Sequence, residues 1–206
     1  MSQSTLSVCC PVPTAIASAV TVLNECSADV GQIQKLVFWR RGQSIASVAT
    51  AIISTTWTTL LAATGDTKAI VSPFIANVEL APSEAREFGG GNETRWGAPI
   101  RKGGSSPSFT ASIYQYDQDT ITALKNLRCE TLDVLFINEA NQLIYSDANN
   151  VAGFEIAANS LFVSDKGIGG LDDADQNVIM FNLKPDWSDT LEITVETTFL
   201  LDMVNS

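Results

Sequence analysis

Hydrophobic and polar positions alternate most clearly on two stretches that flank a long polar segment. In residues 70–80, Phe74, Ala76, Val78 and Leu80 fall on one face, and in residues 108–116 Phe109, Ala111 and Ile113 do the same. A period of two, carried by β-branched and aromatic residues, predicts strands. The segment between them, residues 82–106, far exceeds the two to about five residues of a hairpin turn. It shows no apolar periodicity and contains Gly89-Gly90-Gly91 and Gly103-Gly104. A segment of that kind is either functional or disordered. Two unlike sets of charge and a tryptophan favour function, and the expectation is a projecting loop that meets another copy of the same chain.

The other elements follow in order. Residues 36–39 have strand character, and Gly42 ends the run. Ile45, Val48, Ile52 and Ile53 are spaced by three, four and one, which hints at a short helix from Ser44; the threonines argue against a long one. Residues 55–63, Thr-Thr-Trp-Thr-Thr-Leu-Leu-Ala-Ala, fit helix or strand, and a turn follows at Gly65. The clearest helix covers about residues 119–130. Asp117 and Asp119 supply the cap and the early negative charge, Ile121, Leu124 and Leu127 form the apolar stripe, Cys129 lies near its edge, and Lys125 and Arg128 fall in the last turns.

Beyond it, residues 132–137 and 143–145 read as strands around a turn at 138–142. Residues 153–156 and 160–164 read as another strand pair, and residues 177–183 and 190–201 as strands joined by a turn at 184–189. In the last strand Leu191, Ile193 and Val195 face inwards, and Glu192, Thr194 and Glu196 face outwards. The expected fold is mainly β or α+β: a β-sandwich or barrel with one flanking helix (about 119–130) and a long projecting loop (about 82–106). Residues 1–30 read as an N-terminal arm and residues 31–206 as one β-rich assembly domain.

Composition narrows the class. With 206 residues, 45% hydrophobic and 17% charged, the chain is globular and large enough to bury roughly 70% of its unfolded surface. The net charge is -11. It is uneven: residues 107–206 hold Lys125, Arg128, Lys166 and Lys184 against 16 acids, a net of -12. Simple solubility explains that excess, and so does a surface that repels phosphate instead of binding it. There is no histidine, which removes Ser-His-Asp and Cys-His catalysis and the commonest zinc ligand. Cys9, Cys10, Cys26 and Cys129 match no metal knuckle or redox pair, so a reduced, intracellular chain is expected. No basic leader opens the sequence, and residues 37–61 are interrupted by Arg40, Arg41 and Gln43, so no membrane partner is expected.

Candidate chemistry is sparse. Asp172, Asp173 and Asp175 look like the start of a calcium loop but lack its central glycine and closing glutamate, and a solvated acidic loop accounts for them. The glycines at 89–91 and 167–170 lack the strand–loop–helix context of a phosphate cradle. Asp117 and Asp119 are accounted for as a helix cap. No catalytic residue, cofactor or metal is assigned. The loop is the better clue. Arg86, Glu87, Phe88, Arg95, Trp96, Arg101 and Lys102, with Glu84, Glu93 and Ile100 among them, combine mixed charge with aromatic anchors, as a subunit contact does.

Residues 31–35 (Gly-Gln-Ile-Gln-Lys), 84–92 (Glu-Ala-Arg-Glu-Phe-Gly-Gly-Gly-Asn), the strand–helix step at 108–129 and residues 134–139 (Val-Leu-Phe-Ile-Asn-Glu) together resemble virion structural proteins of tailed phages, most of all tail tube proteins. The resemblance is one of general layout from Gly31 onwards. It implies a non-enzymatic protein, made in the host cytoplasm and built into the virion. It also implies stacked rings, commonly hexameric, with residues 82–106 reaching the next ring and DNA passing through an acidic lumen. Partners would be copies of itself and other virion proteins. The N-terminal stretch with Cys9, Cys10 and two prolines departs from the simplest tube protein. It leaves room for a head–tail connector, a capsid decoration protein or an adhesin or fibre module.

Overall fold

The computed structural model describes residues 30–114, 116–147, 150–171, 173–194 and 200–203. Cys9, Cys10 and Cys26, and the arm expected at the N-terminus up to Asp29, lie outside the described residues. The described chain divides into two compact units, residues 30–84 with 104–206, called the body here, and residues 85–103.

In chain order the elements are β1 (Ile33–Arg40), β2 (Ser44–Ile45), α1 (Val48–Ala51), α2 (Ser54–Ala62), β3 (Ile70–Val71), β4 (Ala76–Leu80), β5 (Ala85–Phe88), β6 (Ile100–Gly104), β7 (Ser108–Tyr114), α3 (Gln118–Asn126), β8 (Leu132–Asn138), β9 (Leu143–Ser146), β10 (Val151–Ala152), β11 (Phe154–Glu155), β12 (Phe162–Val163), β13 (Gln176–Asn182), β14 (Leu191–Ile193) and α4 (Leu200–Met203).

The body is a mainly β, α+β structure of two antiparallel sheets. The large sheet runs β2-β10-β9-β8-β1-β3, with β11 also on β8 and β14 also on β9. The small sheet runs β12-β13-β7-β4. Alternation explains how they pack. Leu36 and Phe38 of β1, with Val134 and Phe136 of β8, meet Phe109, Ala111 and Ile113 of β7 and Ile179 and Phe181 of β13, and Ile121 and Leu124 of α3, with Leu127 just beyond its end, close the same core. Val37 and Trp39 of β1, with Leu135 and Ile137 of β8, point the other way and pack with Trp57 of α2, Ala51 of α1 and Leu200 of α4.

The large sheet is therefore covered on both faces, which is why β8 is buried at all seven positions, Asp133 and Asn138 included, around the apolar run 134–137. Each fully buried Val, Leu, Ile or Phe stabilises the fold by about 1.5–3 kcal/mol relative to exposure. Stacked rings run through the first core: Phe109 lies 4.6 Å from Phe181 and 5.6 Å from Phe136, which lies 5.6 Å from Phe154.

Most predicted elements form. Phe109, Ala111 and Ile113 are buried on β7, and β4 pairs antiparallel with β7 through Leu80 and Phe109, so the two flanking strands are neighbours. The Asp117 carboxylate accepts the Thr120 amide at 2.7 Å as the cap of α3, and hydrogen bonding to Thr120 holds its pKa below the usual carboxylate value. Asn138 closes the β8–β9 turn: its Oδ1 accepts from the Ala140 and Gln142 amides at 3.1 and 2.9 Å.

Several expectations change. Residues 70–80 make two strands in different sheets. Ser72 and Pro73 carry the chain across, and the Ser72 hydroxyl accepts the Leu36 amide at 2.9 Å while donating to Pro73 O at 2.8 Å. Phe74 is exposed, because it lies at this crossing and caps the buried Lys35 ammonium at 4.4 Å. The helix expected from Ser44 begins only after Ser47, whose hydroxyl accepts the Thr50 amide; Ser44 and Ile45 instead form β2. Residues 55–63, open between helix and strand, fall mostly in α2. Residues 153–156 and 160–164 do not pair with one another: β11 joins β8 in the large sheet and β12 joins β13 in the small one. Strand β14 is shorter than expected. Glu192 is exposed as predicted, but Thr194 is buried, because its hydroxyl accepts the Leu143 amide at 2.9 Å. Val195 and Glu196 lie outside the described residues, and a helix starts at Leu200.

Candidate functional site

The loop singled out in the sequence is ordered by its own bonds. Strands β5 and β6 form a two-stranded ribbon, and two short 3-10 turns, Gly91–Glu93 and Arg95–Gly97, join them. Thr94 is the knot. Its hydroxyl accepts the Gly90 amide at 3.2 Å and donates to Ala98 O at 2.6 Å, and its carbonyl accepts the Gly97 amide at 3.0 Å. Gly89 has φ 84°, and a Cβ built there would lie 2.2 Å from the Thr94 methyl, so both conformation and space require glycine. Trp96 sits at φ 69°, a left-handed conformation that bulky residues rarely adopt. Trp96 is 88% exposed.

Of the seven predicted contact residues, Arg86 and Glu87 are exposed on β5, and Arg101 and Lys102 on β6. The Lys102 ammonium sits 4.4 Å from the Phe88 ring centroid, a cation–π contact that draws the two strands' side chains together. Phe88 and Ile100 are about half exposed. The side chain of Arg95 lies outside the described residues. The ribbon thus presents three large apolar side chains among exposed bases.

The body holds a second polar constellation. Asp133, buried on β8, accepts from Arg41 Nε at 3.2 Å and from the Gly42 amide at 3.1 Å. Arg41 also donates to Ile156 O at 2.6 Å and pairs with Glu155, which pairs with Lys184. Burial pushes the Asp133 carboxyl up, against the opposing pull of the Gly42 amide and Arg41. The cluster borders a cleft of about 270 Å³ whose wall includes Gly153 and Trp187. Its cations and carboxylates are joined to each other or to the backbone, so it ties the β1–β2 turn to β8 and β11. Sequence reading missed both buried charges, Asp133 and Lys35; Asp133 interrupts an apolar run, which was an available signal, whereas Lys35 stands beside Gln34 ahead of the run 36–39 and gives none. Burial pushes the Lys35 ammonium down to about 8.

A third feature is acidic. Glu192 on β14 stands opposite Tyr145 on β9, and Asp147 follows two residues beyond Tyr145, its amide donating to Thr190 O at 2.9 Å. Burial, then the charges of Glu192 and Asp147, push the Tyr145 phenol up. Asp173 is exposed and Asp175 accepts the Gly169 amide at 3.1 Å, while Asp172 lies outside the described residues. Among the described residues no group of acids or cysteines is arranged to hold a metal ion. Cys129 is exposed with a free thiol, and no described helix is long and apolar enough to cross a membrane.

No protein-family model matches the chain, and no curated protein matches it. Solved structures do show partial overlap. A chain from the tail of an empty gene transfer agent particle is 13% identical, with 59% of this chain and 82% of that chain covered and a TM-score of 0.33. A chain from the virion of a native gene transfer agent particle is 14% identical, over 59% and 85%, with a TM-score of 0.32. A chain from the baseplate of the anti-feeding prophage is 9% identical, over 85% and 100%, with a TM-score of 0.36. Overlaps at these scores argue neither for a shared fold nor for a shared task.

Proposed function

We propose that the chain is a structural virion protein of tailed-phage type that stacks on copies of itself as rings of a tail tube, with residues 85–103 as the contact. The ordered ribbon carries this reading. A loop knotted by its own hydrogen bonds, yet presenting Phe88, Trp96 and Ile100 among exposed bases, has the make-up of an interface. The acidic excess of the rest of the chain suits a passage for DNA, since like charge keeps phosphate from sticking. The resemblance in layout to tail tube proteins points the same way.

Electron microscopy of the purified full chain over rising concentration tests the reading. Rings or tubes are expected. Discrete monomers at every concentration would overturn it, and binding to a capsid or glycan without self-assembly would favour a decoration or adhesin role.

A further inference from the structure

The loop and the body carry opposite net charge. Residues 85–103 hold Arg86, Arg95, Arg101 and Lys102 against Glu87 and Glu93, a net of +2. Residues 30–84 and 104–206 hold eight bases against 19 acids, a net of -11. Acid is unrelieved at the end of the chain, where residues 185–206 contain five acids and no base. Within that stretch the exposed Glu192 lies on β14, which pairs with β9 alone among the described residues. Asp147, also exposed, is close enough to act with Glu192 on Tyr145. A sheet edge presents unpaired backbone groups, and here carboxylates flank it.

We propose that the loop of one copy docks on the β14 edge of a second copy, with Arg86, Arg101 and Lys102 around Phe88 and Ile100 meeting Asp147 and Glu192. The proposal rests on the self-assembly reading above and names the surface that receives the loop. Charge complementarity selects the occupant. Two chains of net charge -11 repel one another as wholes, and a local patch of opposite sign offsets that repulsion at contact range. Screening over about 8–10 Å at ordinary salt confines that attraction to the patch itself. An apolar centre ringed by charge also matches the arrangement of interface hot spots.

The test uses the full chain, half of it labelled with heavy nitrogen, and a carbodiimide that joins amines to carboxylates only in direct contact. In assembled material, mass spectrometry should find Lys102 linked to Asp147 or Glu192 between labelled and unlabelled chains. Reversing the loop charge with Arg86→Glu and Lys102→Glu should lower the assembled fraction at least tenfold, and adding Asp147→Lys and Glu192→Lys should restore most of it. The milder pair Asp147→Asn and Glu192→Asn should give a partial loss with an unchanged circular dichroism spectrum. If wild-type chains assemble but the loop reversal does not weaken them, the docking proposal falls while the self-assembly reading stands. Failure of the compensating pair to restore assembly, or links confined to single chains, has the same consequence. If wild-type chains never assemble, both fall together, before any variant is made.

Discussion

Gly153 shows how one position ties the large sheet together. A Cβ built there would lie 2.8 Å from the Asp133 Cβ, 2.8 Å from Trp39 Nε1 and 3.0 Å from the Val134 amide nitrogen. Those neighbours are buried side chains and backbone, which yield poorly. Trp39 Nε1 is already a buried donor without a partner among the described residues. Gly153→Ala is expected to destabilise the body by about 1–3 kcal/mol, the usual range for overpacking. Urea unfolding followed by tryptophan fluorescence measures this, and an unchanged midpoint would show that the site has slack. The signal was not legible beforehand, because Gly153 reads as the first residue of a strand, and its close neighbours emerge only when β11 is laid against β8.

At the scale of elements, the loop and the body make separable predictions. Gly89→Ala places a methyl into Thr94 at an unfavourable φ, so it should unpick the turns between β5 and β6. Assembly seen by electron microscopy should drop sharply, while the unfolding midpoint of the body should move by less than about 0.5 kcal/mol, as for changes away from the core. A large fall in body stability would contradict the independence of the two.

Elements with strong local signals were legible. Phe109, Ala111 and Ile113 set β7, and the Asp117 cap with the Ile121, Leu124 and Leu127 stripe set α3. Helix α2 was not, because its β-branched threonines weigh against a helix and Trp57 is its one buried residue, so packing on the large sheet decides. The partners of β11 and β12 were not legible either, since pairing across sheets depends on contacts far apart in sequence. The seven loop residues were marked by composition alone. Their positive balance emerges only when residues 85–103 are taken apart from Asp66, Glu79 and Glu84 of the body.

For the whole molecule, pH exposes the buried charges. Lys35 is 2% exposed, and burial holds its pKa at about 8 against an ordinary 10.5. Between those values the unfolded chain binds more protons than the folded one, so this group makes stability rise with pH across that window and weighs against the fold below it. The expected outcome is that wild type gains about 1–3 kcal/mol relative to Lys35→Met as pH rises from 8 to 10.5. Chemical denaturation of both chains at several pH values checks it. Parallel curves would mean that the ammonium is as well solvated in the fold as in the unfolded chain.

The loop leaves the body from two strands that are bonded to each other, and that shared root governs how the protein bears load. Strand β7 is matched to β13 over seven consecutive residues, from Ser108 opposite Asn182 to Tyr114 opposite Gln176, and β4 lies on its other edge. A tug on both roots along the strand direction would slide the β4–β7 pair past β13, straining the whole ladder at once instead of opening it bond by bond. A tether anchored that way yields late and all together.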